Sequence, residues 1–189
     1  MASDEGLPKA EAVAEFLTMR LGRPVAATKI GAVVLPHPGG VVALYEGRQE
    51  PIGAICALDF DMAVRLGASL SRRPVLMAEE GDAEGQLPVA LFEKVEEVCN
   101  GLTAVLTSSQ GKLSLAEVYA IPVPIPPEIE PNLSRPARRL DLVVDVDGYG
   151  RGTMSFLYGV LEKETRADES PKGEPAELED TLLSIDMDF

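Results

Sequence analysis

Near the end of the chain, two short runs alternate between apolar and polar residues around a glycine-rich turn. In "LDLVVDVD", residues 140–147, the side chains of Leu140, Leu142, Val144 and Val146 fall on one side. In "TMSFLYGV", residues 153–160, Met154, Phe156, Tyr158 and Val160 do the same, and "DGYG" lies between the runs. Successive side chains of a strand point to opposite faces, so such a pattern serves a sheet with one face on a core. The glycines suit a tight turn. The pattern predicts an antiparallel hairpin that needs helices or a second sheet to cover it.

Three further strand-like runs, "VAATKIGAVVL", "VVALYE" and "IGAICAL", are separated by "PHPGG" and "GRQEP", which predicts two more hairpins. "KLSLAEVYAI" reads as another strand. Helical spacing marks "PKAEAVAEFLTMRL", residues 8–21, with Val13, Phe16, Leu17, Met19 and Leu21 as its apolar contacts and Gly22 and Pro24 as its stop. "DFDMAVRLGASLS" repeats Met62, Leu66 and Leu70 at helical spacing, and Asp59 or Asp61 is placed to cap it. A polar loop, 72–87, leads to a long helix over 88–107. The proline-rich stretch 122–139 reads as an extended crossing without regular structure. Helix, three strands, two helices and three strands together predict an α+β fold. Its sheet is largely antiparallel, of about six strands, with helices packed on it. Helix–strand–strand–strand occurs twice, a loose internal symmetry.

The long helix contains "EKVEEVCNGL", residues 93–102. Leu91, Val95, Val98, Cys99, Leu102, Val105 and Leu106 share one arc of the helical wheel, the core face. Glu93, Glu97, Asn100 and Ala104 share the opposite arc, and Glu97 and Asn100 are neighbours at i and i+3. Asn and Gly are poor helix formers, and Gly101 lowers helix stability by about 1 kcal/mol relative to Ala. Ala90, Gly101 and Ala104 project little, so this face reads either as a plain solvated surface or as an acid and an amide with room for another protein's surface.

Composition narrows the function classes. The net charge of −14 argues against nucleic acid, whose backbone selects clustered cations. Ten acidic and three basic residues lie from Glu162 onward, so this segment holds −7, half of the total. No run of about 18 apolar residues predicts a membrane span, and the acidic N-terminus has no apolar signal region; the cytoplasm is the expected compartment. Cys56 and Cys99 stand in apolar surroundings and read as buried free thiols. One histidine, His37 in "LPHPGG", makes a zinc site or a Ser-His-Asp triad a poor fit. "DVDGYG" lacks the third acid and the closing Glu of a calcium loop, so a hairpin turn is the better reading. Arg135, Arg138 and Arg139 read as a solvated loop, or as a site for the tail or a partner.

The order of elements, with "EVCN" on the helix after the loop, resembles the CheC/CheX/FliY family of chemotaxis phosphatases, which carries Glu-x-x-Asn on an exposed helix. "EPIGAICALDFDMAVRLGASLSRRP" and "EAVAEFLTMRLGRPV" also resemble family segments, and the resemblance covers roughly residues 8–160. Glu93 stands where the family usually has Asp or Ser, Ala104 where it often has Gly, and Pro122 and Pro124 bracket its downstream proline. A second Glu-x-x-Asn is absent from "DFDMAVRLGASLS", so the single-site, CheX-like pattern fits best.

The resemblance implies a phosphatase that binds a phosphorylated CheY-like response regulator. Asn100 would hold the attacking water and Glu97 would pair with a regulator Lys. Glu93, Ala90, Gly101 and Ala104 would meet the partner. It implies no cofactor or metal of the chain's own and Mg²⁺ on the regulator. Dimers occur in the family, so a homodimer is an open expectation. The alternative is a non-catalytic adaptor of the same fold. The domain is expected over 1–161 and a disordered acidic tail over 162–189. Within that tail, 180–189 alternates apolar and acidic residues, as a docking peptide for another protein or as a solvated end.

Overall fold

The structure is a computed structural model that describes residues 7–47, 52–74 and 86–160. Its elements run α1 (Ala10–Leu21), β1 (Val25–Lys29), β2 (Val41–Glu46), β3 (Ala54–Leu58), α2 (Phe60–Ser71) and α3 (Val89–Gln110). They continue with β4 (Ser114–Ala120), α4 (Glu130–Ser134), β5 (Pro136–Val146) and β6 (Gly150–Val160). The strands form one six-stranded sheet in the order β1-β5-β6-β3-β2-β4, and every neighbouring pair is antiparallel. Exchanging β1, β2 and β3 for β4, β5 and β6 turns this order into its own reverse. The loose symmetry of the sequence is therefore a two-fold pattern of the sheet, with β3 and β6 side by side at its centre.

The alternating runs behave as their period requires. Leu140, Leu142, Val144, Val146, Met154, Phe156 and Tyr158 are all buried on the face that carries the helices. Val13 and Leu17 of α1, Met62 and Leu66 of α2, and the inner face of α3 pack against them. The other face carries a smaller cluster, Val42, Leu44, Ile55, Ala57 and Leu157, roofed by Ile129 and Leu133 and by Leu35, Ile52, Ile121 and Ile125. "DGYG" makes the β5–β6 turn, with Gly148 at φ 75° and Gly150 at φ 94°.

Three expectations are corrected. β1 and β2 form no hairpin: β1 pairs with β5 at one edge, and the chain then travels to β2 near the other. The strand-like run therefore ends at Lys29, and its far end supplies Leu35 to the second cluster instead. The proline-rich crossing holds the short helix α4, because Ile129 and Leu133 have the second face to bury against, and residues 136–139 already belong to β5. Met19 is 78% exposed and contributes nothing to the core, since α1 buries only Val13, Leu17 and Leu21.

Asp59 joins α2 to the sheet. Its carboxylate accepts from the Met62 N–H at 2.7 Å as the helix cap, and from the Thr153 N–H at 2.8 Å and hydroxyl at 2.6 Å on β6. Asp59→Ala removes the cap and two cross-links at once. We expect a loss of about 2 kcal/mol in unfolding free energy by urea titration; an unchanged midpoint would show that the cap is dispensable.

The tail 162–189 and most of the 72–87 loop lie outside the described residues. Among the described residues, no helix is long and apolar enough to cross a membrane.

Candidate functional site

The inner arc of α3 is as the wheel requires: Leu91, Val95, Val98, Cys99, Leu102, Val105 and Leu106 are all buried. The helix is held at its middle and near its start. The Tyr45 hydroxyl donates to the Cys99 carbonyl at 2.8 Å inside the core, which ties the backbone beside Asn100 to strand β2. On its flank, Gly67 of α2 lies so close to Leu91 that a Cβ there would stand 2.8 Å from the Leu91 Cβ. Burial pushes the Cys99 thiol up to about 12 and raises that of Cys56 as well, so both remain protonated core residues.

The outer arc carries the residues singled out in the sequence. Ala90, Glu93, Glu97, Asn100 and Ala104 are exposed. Among the described residues the Asn100 side-chain amide has no hydrogen-bond partner, while its backbone carbonyl accepts from the Thr103 hydroxyl at 2.7 Å. Glu97 is different. Lys94 Nζ donates to its Oε1 at 2.5 Å, and Arg20 Nη2, from α1, lies 3.3 Å from its Oε2. The Lys94 hydrogen bond holds the Glu97 carboxyl below its ordinary range; slight desolvation opposes this, and the charges of Lys94 and Arg20 add to the lowering.

Gly101 has a use inside the fold that the wheel did not suggest. It is half-buried, and a Cβ on it would stand 2.7 Å from Phe16 Cζ and 3.1 Å from Phe16 Cε2. Its clearance admits the ring of α1. Sequence reasoning passed over both cations of Glu97. Lys94 was legible, because i and i+3 on a helix are neighbours. Arg20 was not, since 77 residues separate it from Glu97.

The remaining candidates resolve into structural roles. His37 Nε2 lies 3.4 Å from the Thr153 hydroxyl, but that hydroxyl is turned to Asp59, so no hydroxyl–imidazole–carboxylate relay is formed. Asp145 pairs with Arg151 at 2.7 Å beside the β5–β6 turn. Among the described residues no group of three or more His, Cys, Asp or Glu side chains is placed to hold a metal ion. Arg139 is no solvated loop residue: its guanidinium binds the nearly buried Asp141 at 2.6 and 2.9 Å and the Val33 carbonyl. Arg138 lies 5.8 Å over the Tyr158 ring.

No protein-family model and no curated protein sequence matches the chain. Solved structures do. FliM from H. pylori, in a FliM–SpeE complex, superposes with a TM-score of 0.55 at 8% identity, over 79% of this chain and 80% of that one. FliY from Thermotoga maritima matches with a TM-score of 0.50 at 14% identity, over 82% of this chain and 86% of that one. CheX from Desulfovibrio desulfuricans matches with a TM-score of 0.46 at 13% identity, over 79% of this chain and 95% of that one. At these identities the likeness is one of fold. With its six-stranded antiparallel sheet and α3 laid across the helical face, the chain has the fold of FliY and FliM.

Proposed function

We propose that the chain is a CheX-like phosphatase that binds a phosphorylated CheY-like response regulator and hydrolyses its aspartyl phosphate. The observation that carries this reading is the exposed Asn100 amide, unpartnered among the described residues and one helical turn from a carboxylate on the same face. An aspartyl phosphate is already an activated acyl phosphate. Water attacks phosphorus, the bond to the carboxylate oxygen breaks, and phosphate leaves. The regulator brings its own Mg²⁺ and Lys to the phosphoryl oxygens, so the second protein has chiefly to orient the water. An amide does this well, because it donates and accepts without charge. Glu97 sets the docking register by pairing with a regulator cation. Its two oxygens each keep a lone pair beyond those facing Lys94 and Arg20.

The test uses the full chain and a CheY-like regulator charged with acetyl phosphate. Phosphate release from the regulator should be faster with the chain than without it. Glu97→Ala should weaken regulator binding about tenfold, and more than Leu182→Ala in the tail. Loss of binding on removal of 162–189, with Glu97→Ala silent, would make the tail the docking element instead.

The second reading, a non-catalytic adaptor, is favoured by one observation: the charge of Glu97 is already met by two cations of its own chain. The FliM relative, in complex with SpeE, illustrates partner binding on this fold. Regulator binding without faster phosphate release would select it.

A further inference from the structure

α1 and α3 meet through two contacts spaced one helical turn apart. Phe16 fills the space that Gly101 leaves open, and Arg20 reaches Glu97. Phe16 and Arg20 are four apart on α1, while Gly101 and Glu97 are four apart on α3 in the opposite direction. Two antiparallel helices thus present matching rows to each other. The outer contact stays at the surface, with the Arg20 and Glu97 side chains 42% and 44% exposed. We propose that α1 is part of the docking surface and that Arg20 is its positioning residue, holding the Glu97 carboxylate in register with the Asn100 amide. This rests on the reading of Glu97 and Asn100 given above.

A glutamate alone on a helix samples many rotamers, and ordering it on binding costs free energy of order 1 kcal/mol. A carboxylate already gripped meets its partner preorganised. The two cations are not equivalent. Lys94 belongs to α3 and travels with it, whereas Arg20 arrives from α1 and reports where α1 lies. Gly101 makes that approach possible. A methyl group there would stand 2.7 Å from Phe16 Cζ, so the ring must turn aside or carry with it the turn of α1 that bears Arg20. Among the described residues, the charged groups that act on the carboxylate are Lys94 from α3 and Arg20 from α1, and Glu93 and Glu96 are its acidic neighbours in sequence on α3.

The experiment is a cycle of Arg20→Ala, Glu97→Gln and the double variant, assayed on a CheY-like regulator charged with acetyl phosphate. Arg20→Ala should raise KM about two- to fivefold with kcat unchanged, and Arg20→Lys should recover part of the loss. In the Glu97→Gln background, removing Arg20 should change nothing further; an equal loss in both backgrounds overturns the proposal. Gly101→Ala should raise KM in the same way, and its melting temperature reads the gain of about 1 kcal/mol in helix propensity against the cost of the Phe16 contact. Phe16→Leu added to it should restore KM. An unaltered KM in Arg20→Ala would remove α1 from the docking surface. Carbon-detected NMR titration of the Glu97 carboxyl needs no regulator: Arg20→Ala should move its midpoint upward, toward that of a free glutamate, and an unmoved midpoint refutes the grip. If the wild type does not speed phosphate release, the phosphatase reading falls, and the titration and the regulator affinities still judge Arg20.

Discussion

Asn100→Ala should abolish most of the acceleration of regulator dephosphorylation, on the order of a hundredfold, the scale seen when one polar group that positions a reacting centre is deleted. The amide is exposed and unpartnered among the described residues, so its loss removes no internal contact. Alanine is also the better helix former. The variant should therefore melt at or slightly above the wild-type temperature and still bind the regulator through Glu97. Phosphate release measured with binding held saturating separates the two effects. Equal rates for wild type and variant would sink the assignment of Asn100, and a variant that no longer binds would recast it as a docking residue.

Gly152→Ala should unfold the protein at markedly lower denaturant, by about 3 kcal/mol. Propensity alone predicts the reverse sign, since a glycine within a strand is an entropic liability of about 0.5–1 kcal/mol. The packing decides. Gly152 lies buried on β6 opposite Val144, and a Cβ there would stand 2.5 Å from the Met62 nitrogen and 2.6 Å from its Cα. Those are backbone atoms in the first turn of α2, so no rotamer change relieves the contact and the helix itself must lift. The neighbouring Thr153 is bound to Asp59 at that same turn, which resists the lift. α2 also lies against α3 through Gly67 and Leu91, so the displacement carries to the helix of Glu97 and Asn100. Urea titration measures the loss; a variant as stable as the wild type would mean that α2 is free to shift.

What was legible in the chain follows the range of the interaction involved. Every residue assigned to the core face of α3 is buried, because helical period is a property of adjacent turns and needs no knowledge of the partner surface. The β5–β6 hairpin was equally plain, its two strands joined by the three residues 147–149. The β1–β2 hairpin failed for the same reason in reverse. "PHPGG" looks like a local turn, but β1 finds its partner in β5, most of the chain away, and periodicity carries no information about which strand a strand will meet. α4 was hidden because prolines argue for an extended chain and only a waiting apolar face, lined by Val42, Leu44 and Leu157, makes a short helix worthwhile.

By itself, the sequence determined the α+β class, the orientation of α3 and the exposure of Glu97 and Asn100 beside one another, since all of these depend on periods of two and 3.6 residues. Tertiary structure decided the meaning of Gly101 and the state of Glu97. An outward-looking glycine proved to be the seat of Phe16, and a solvent-facing acid proved to be held by Arg20 and Lys94. Lys94 grips Glu97 within α3 itself, but the seat of Phe16 and the reach of Arg20 depend on where α1 comes to rest against α3. That placement is set by the packing of the whole helical layer on the sheet, and no local pattern in either helix encodes it.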